Sequence, residues 1–88
     1  MKIILNGEKM KTKDIAHKYI KDKLDLPEYY GENLDALWDI LSTYNEEIEI
    51  ELICKERLIE YLGEYGEAII EVFQDVEEEN LRIKFNMI

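Results

Sequence analysis

The amino-acid sequence predicts an α/β protein: a three-stranded parallel sheet packed by about four helices, in the order βααβααβ. Short strand-like segments lie near the beginning, the middle and the end of the chain, and two segments with helical spacing separate each from the next. Helical crossovers between strands favour parallel pairing with right-handed connections. Because the chain has 88 residues, 47% of them hydrophobic, we expect one folded domain over residues 1–88.

Three strands are predicted, over Lys2–Leu5, Glu47–Ile53 and Leu81–Met87. The first is a short apolar run that ends at Asn6-Gly7, a pair typical of turns. The second and third alternate apolar residues with polar ones. This alternation indicates strands of which one face is covered.

Four helices are predicted from apolar residues at helical spacing. They are a helix that begins at Thr12 or Asp14 and ends near Leu24, a second over Leu34–Thr43, a third over Lys55–Leu62 and a fourth over Glu67–Glu79. Asn33 is a good N-cap for the second helix, and Gly63 ends the third. Asn80 is expected to end the fourth helix in a left-handed conformation.

The charges are distributed unevenly along the chain. Asp and Glu number 21 against 11 Lys and Arg, so the net charge is -10, yet seven of the eleven bases lie in residues 1–23. No Lys or Arg occurs between Leu24 and Cys54, or between Leu58 and Leu81. Direct binding to nucleic acid is disfavoured because phosphate backbones require cations, whereas a basic partner is favoured.

Several other sites and locations are disfavoured by the sequence. No apolar run approaches the ~18 residues that a membrane span needs, and the opening segment is too short for a signal peptide. The single cysteine, Cys54, excludes an internal disulfide and a multi-cysteine zinc site. We therefore expect a cytoplasmic protein that has no cofactor or metal and is monomeric when free.

The second predicted helix carries the most informative pattern. At about 100° per residue, Leu34, Leu37 and Leu41 form one stripe, while Asp35 and Asp39 lie together on the opposite side. Like charges at this spacing repel each other, which costs a few tenths of a kcal/mol. Two interpretations follow: an ordinary solvated helix face, or a pair of anions directed at a basic partner.

Aromatic residues surround this helix and favour the second interpretation. They are Tyr29, Tyr30, Trp38 and Tyr44. Tyrosine and tryptophan are the residues that anchor protein interfaces, since they offer a large contact area at little cost in entropy. Some of the rings must belong to the core, and Tyr30 is the first that we assign there.

The segment from Leu26 to Asp39, LPEYYGENLDALWD, resembles the signature of the barstar family. Asn6-Gly7-Glu8, His17 and Val72-Phe73 also match the pattern of that family, so the resemblance covers essentially the whole chain. It implies a three-stranded parallel sheet with helices. It also implies an intracellular inhibitor that blocks a barnase-type extracellular ribonuclease with an acidic helix and the loop before it, in imitation of RNA phosphates.

The resemblance also implies a set of partner-binding residues on this chain. They are Tyr29, Asn33, Asp35, Trp38 and Asp39, then Ser42, Thr43 and Tyr44 at the helix end, and Asp75 at the edge. Two positions depart from the family pattern: Thr43 stands where the family has a glycine, and Tyr44 where it usually has a tryptophan. The implied partner is a basic ribonuclease, which the protein would block without reacting with it.

Competing interpretations rest on the same residues. An enzyme that used Asp35 and Asp39 as acid and base would need a pocket to raise one pKa, and an exposed helix face offers none. A calcium loop of the EF-hand pattern is absent. His17 and Cys54 are expected to be structural, the latter as a small buried hydrophobic residue. The alternative to a ribonuclease inhibitor is an acidic interaction module that binds another basic enzyme or a non-nuclease partner.

Overall fold

A computed structural model describes all 88 residues and contains a three-stranded sheet, formed by β1 (Lys2–Asn6), β2 (Ile48–Ile53) and β3 (Ile83–Met87). The strand order is β1-β2-β3, and both pairs are parallel. The central strand β2 places Ile50 beside Ile3 on one side and Phe85 on the other. The predicted parallel sheet is therefore confirmed.

Four α-helices connect the strands. They are α1 (Lys13–Leu24), α2 (Leu34–Ser42), α3 (Lys55–Leu62) and α4 (Glu64–Glu79), with a short 3₁₀ turn over Gly7–Lys9 before the first. Thr12 is the N-cap of α1, since its side chain accepts a hydrogen bond from the backbone N–H of Ile15 at 3.2 Å. The predicted α/β class and the order of strands and helices are thus confirmed.

The helices cover only one face of the sheet. In β2 the side chains of Ile48, Ile50 and Leu52 are buried, while the alternate side chains of Glu49 and Glu51 are half-buried. On the uncovered face Glu51 pairs with the Nζ of Lys2 at 2.9 Å. The 19 buried apolar residues form a single core between the sheet and the helices.

The two ends of α4 differ from the prediction. The helix begins at Glu64 rather than Glu67, because Gly63 adopts a φ of 55° and turns the chain directly from α3 into α4. Asn80, which follows α4, has a φ of -130° and is extended, so the expected left-handed conformation is wrong. Its side chain makes long-range contacts instead. Strand β3 begins at Ile83, since Leu81 is 91% exposed.

The backbone at Gly7 lies so close to the backbone at Cys54 that a side chain would not fit between them. A Cβ on Gly7 would lie 2.2 Å from the carbonyl oxygen of Cys54, so only glycine fits where the first turn meets the end of β2. Cys54 itself is half-buried rather than buried, with a left-handed φ of 56°. The expectation of a buried hydrophobic cysteine is therefore wrong, because this residue forms the sharp entry into α3.

Two backbone groups on the outer edge of β3 are satisfied by the protein itself. The backbone N–H of Phe85 donates to Oε2 of Glu77 at 2.9 Å, and the N–H of Ile83 donates to the carbonyl of Asn80 at 3.0 Å. A side chain of α4 therefore satisfies backbone that a neighbouring strand would otherwise satisfy. None of the helices is both long enough and apolar enough to cross a membrane.

Candidate partner-binding surface

The N-terminal end of α2 is fixed by the residues immediately before it. The side chain of Asn33 accepts a hydrogen bond from the N–H of Ala36 at 2.8 Å and donates to the carbonyl of Gly31 at 3.2 Å. Glu32 adopts a left-handed φ of 54°, and its carboxylate lies 3.2 Å from Nζ of Lys18 on α1. The predicted N-cap is confirmed, and it joins the loop to the helix as one unit.

A buried network anchors the same loop to the core. Tyr30 is 4% exposed, as expected for the ring assigned to the core, and its hydroxyl lies 2.6 Å from Nδ1 of His17. Nε2 of His17 lies 2.6 Å from the hydroxyl of Tyr65 on α4. His17 is 1% exposed, which agrees with the predicted structural role.

Burial determines the charge state of this network. It lowers the pKa of His17 and raises the pKa values of Tyr30 and Tyr65. The neutral imidazole donates one hydrogen bond and accepts the other, so both tyrosine hydroxyls are satisfied. The network therefore links α1, the loop and α4 without a buried charge.

The two faces of α2 are those predicted. Leu37 and Leu41 are fully buried against the core, whereas Asp35 and Asp39 are exposed on the opposite face. Trp38 is half-buried and packs against the core at the boundary between the faces. The arrangement gives a rigid helix with two carboxylates directed into solvent.

The aromatic residues are less concentrated than the sequence suggested. Tyr29 is 83% exposed beside the helix. Tyr44 is half-buried, packs against the core and lines a shallow depression with Ile3, Leu24 and Asp25. Burial raises the pKa of Tyr44. Tyr30 lies in the core, as predicted, and Tyr44 packs partly toward α1 and β1, so Tyr29 and Trp38 are the rings that remain beside the acidic face.

At the C-terminal end of α2, side chains satisfy the last carbonyls. The hydroxyls of Ser42 and Thr43 each donate to the carbonyl of Asp39 at 3.1 Å. Nδ2 of Asn80 donates to the carbonyls of Leu41 and Tyr44, each at 2.9 Å. The contribution of Asn80 was missed in the sequence, because its partners lie 36 and 39 positions earlier in the chain.

No cation of this chain pairs with the exposed carboxylates of α2. All five salt bridges lie elsewhere: Lys2–Glu51, Lys18–Glu32, Lys21–Glu28, Arg57–Glu8 and Arg57–Glu60.

The helix dipole acts differently on the two carboxylates of α2. Asp35 lies in the first turn, where the positive end of the helix dipole stabilises it, while Asp39 lies in the last turn near the negative end. Asp75 is exposed on α4, the helix that packs against α2. The surface thus carries negative charge that only an external cation can neutralise.

The acidic residues are not arranged for metal binding. No group of three or more His, Cys, Asp or Glu side chains is close enough to hold a metal ion. Asp35 and Asp39 project into solvent from a convex helix face rather than into a cavity. The geometry suits contact with another macromolecule.

Comparisons with known proteins agree with this description. A family model described as "Barstar (barnase inhibitor)" matches residues 1–88, the whole of the chain. The chain is also 40% identical over 89 residues to the Bacillus subtilis (strain 168) protein named "Putative ribonuclease inhibitor YrdF", covering 99% of this chain and 96% of that protein.

Proposed function

Because this chain belongs to the barstar family, we propose that it inhibits a barnase-type extracellular ribonuclease by covering the active site of that enzyme. The covering surface consists of α2, the loop before it and the exposed edge of α4. Inhibition occurs by blocking alone, and no group of this chain needs to react. We further propose that the inhibitor acts as a monomer in the cytoplasm.

The observation that carries this proposal is the pair of exposed, unpaired carboxylates on α2. A ribonuclease active site collects Arg, Lys and His to hold a phosphate and the negative charge of the transition state. Asp35 and Asp39 lie one helical turn apart on a fixed helix, and no cation of the chain competes for them. They therefore suit imitation of successive RNA phosphates.

Asp39 is proposed to lie at the centre of the interface. It would accept charge-assisted hydrogen bonds, some of them bidentate, from guanidinium groups and from the catalytic histidine of the enzyme. The C-terminal end of α2 contains no basic residue, so its negative dipole adds to the attraction that Asp39 exerts on cations. Asp35 would occupy a second positive site.

The remaining residues of the proposed interface lie around these two carboxylates. Tyr29, with 83% of its surface exposed, would pack over the histidine of the enzyme, and Trp38 would contact the rim. Asn33 fixes the loop beside them. At the periphery lie Ser42, Thr43, Tyr44 and Asp75. Since the hydroxyls of Ser42 and Thr43 already bind the Asp39 carbonyl, they offer the partner mainly their free lone pairs.

The test is a titration of the protein into barnase while RNA cleavage is followed. Asp39→Ala is expected to weaken inhibition more than Asp75→Ala, because only Asp39 lies at the proposed centre. Glu56→Ala, an exposed carboxylate on α3, is the matched control and is expected to have no effect beyond a small change in association rate. Equal losses for Asp39→Ala and Asp75→Ala would remove Asp39 from the central role.

Ionic strength provides a second measurement on the same complex. The net charge of -10 is expected to accelerate association with a basic enzyme, and this acceleration falls as salt screens the field. An association rate that does not depend on salt would contradict steering. If the protein binds another basic protein but leaves ribonucleases active, the alternative of a general acidic interaction module replaces the proposal.

A further inference from the structure

Asn80 is the residue through which the C-terminal end of α2 is attached to the rest of the protein. It is 7% exposed and lies between α4 and β3. Its Nδ2 donates to the carbonyls of Leu41 and Tyr44, each at 2.9 Å, and its Oδ1 accepts from the N–H of Arg82 at 3.0 Å. Both the Nδ2 donor group and the Oδ1 acceptor of this side chain are thus bound to backbone groups of the protein.

The end of α2 lacks the usual means of helix termination. No glycine follows the helix, and its capping residue Thr43 has a φ of -111° rather than a left-handed value. No Lys, Arg or His lies in the last turn, and the carboxylate of Asp39 is unfavourable at this negative end. Local donors bind the carbonyls of Asp39 and Leu41, and the amide of Asn80 adds a second donor to Leu41 and a donor to the carbonyl of Tyr44.

We infer that Asn80 is a positioning residue for partner binding: without touching the partner, it holds the carbonyl end of α2 so that Asp39, Ser42 and Thr43 keep their positions. This inference rests on the proposed function, since those side chains belong to the proposed interface. The Tyr29 end of the surface is fixed separately, by Asn33 and Tyr30. Loss of the Asn80 amide therefore affects one half of the surface and spares the other.

The chemistry of the contact selects the test variants. Asn80→Asp has nearly the same shape but turns an acceptor oxygen toward two carbonyl oxygens, so both hydrogen bonds are lost. Asn80→Leu removes the donors without adding a charge. Asn6→Asp is the matched control, because the retained Oδ1 still accepts from the N–H of Glu8, and the same charge is added away from α2.

The first experiment measures inhibition of barnase by these variants at a temperature at which each is fully folded by circular dichroism. Asn80→Asp and Asn80→Leu are expected to raise the inhibition constant roughly tenfold, and Asn6→Asp to leave it within about twofold.

Combined variants then show which half of the proposed surface depends on Asn80. The cost of Asn80→Asp is expected to shrink in an Asp39→Ala background and to persist in full in a Tyr29→Ala background.

The second experiment uses the free protein and needs no partner. Amide hydrogen exchange of Asn80→Asp is expected to accelerate at Tyr44, whose N–H bonds the Leu41 carbonyl, and to stay unchanged at Ala36 and Leu37. Unchanged exchange at Tyr44, or equal acceleration at both ends of α2, overturns the inference. So does an equal cost of Asn80→Asp in the two combined backgrounds. If the wild-type protein does not inhibit barnase, the proposed function fails for that enzyme, and the exchange result alone decides the role of Asn80.

Discussion

The two ends of α2 are held in different ways, although both belong to the surface proposed to bind the partner. At the N-terminal end, Asn33 caps a helix that begins one residue later, and its amide also binds Gly31. At the C-terminal end, the capping amide comes from Asn80, which lies 39 residues beyond Leu41. The cap at one end therefore comes from neighbouring sequence, whereas at the other end part of the cap comes from a residue near the end of the chain.

Charge increases the difference between the ends. Asp35 lies where the helix dipole stabilises a carboxylate, and Asp39 lies where the dipole opposes one. The proposed centre of the interface is thus also the less favourable end of the helix. Under the proposed function, a cationic partner would remove this electrostatic cost when it binds.

Removal of the long-range cap is expected to have the largest effect on stability. Asn80→Ala leaves the carbonyl of Tyr44 and the N–H of Arg82 without this partner, and the carbonyl of Leu41 keeps only the N–H of Tyr44, so the free energy of unfolding should fall by about 2 kcal/mol. Urea denaturation at constant m-value measures the change. A loss below that of Asn33→Ala would show that the local cap is the more important of the two.

Acidification is expected to weaken the N-terminal anchor. Because burial lowers the pKa of His17 below 6.5 in the folded state, the unfolded chain binds more protons at this residue, and the contribution of His17 to stability is fully present above pH 6.5. It then decreases as the pH falls from 6.5 toward the folded pKa, by no more than about 1.4 kcal/mol per pH unit. Asp14 and Glu32 oppose this shift, while Tyr30 and Tyr65 keep their protons throughout.

Denaturation of the wild-type protein and of His17→Gln at pH 7.5, 6.5 and 5.5 tests this dependence. The free energy of unfolding is expected to decrease with falling pH in the wild-type protein, and this decrease should be smaller in His17→Gln. Equal slopes in the two proteins would assign the pH dependence to carboxylates elsewhere. The C-terminal cap gives no contribution in this range, since the amide of Asn80 does not titrate.

Removal of the local cap is expected to have a moderate effect. Asn33→Ala should lower the free energy of unfolding by about 1 kcal/mol, whereas Asn33→Asp, which retains the acceptor for the Ala36 N–H, should be nearly neutral. Thermal and urea denaturation of the two variants measure the difference. Equal losses would mean that the bond from Nδ2 to the Gly31 carbonyl, rather than the cap, supports this end.

The smallest expected effect separates the two carboxylates. Asp39→Asn relieves both the repulsion from Asp35 and the unfavourable dipole, so it should stabilise the protein by roughly 0.3–0.5 kcal/mol. Asp35→Asn relieves the same repulsion but loses a favourable dipole interaction, so the net change should be close to zero. Paired denaturation curves at low salt test this order, and a destabilised Asp39→Asn would contradict it.

The sequence predicted what depends on local pattern. The strands, the four helices, the Asn33 cap and the opposite faces of α2 all follow from spacing and from residues within one turn of each other. The conformation of Asn80 was mispredicted because its side chain is used by α2 rather than by its own helix. The orientation of Tyr44 likewise depends on packing between elements that are distant in sequence. The early start of α4 follows from the positive φ of Gly63, which the apolar spacing of the helix does not indicate.

The hydrogen bond from Phe85 to Glu77 has a consequence for the protein at high concentration. A second molecule that tried to extend the sheet along β3 would find the N–H groups of Ile83 and Phe85 already occupied, one of them by an anion that it would have to displace. This outer strand is therefore a poor template for fibril growth.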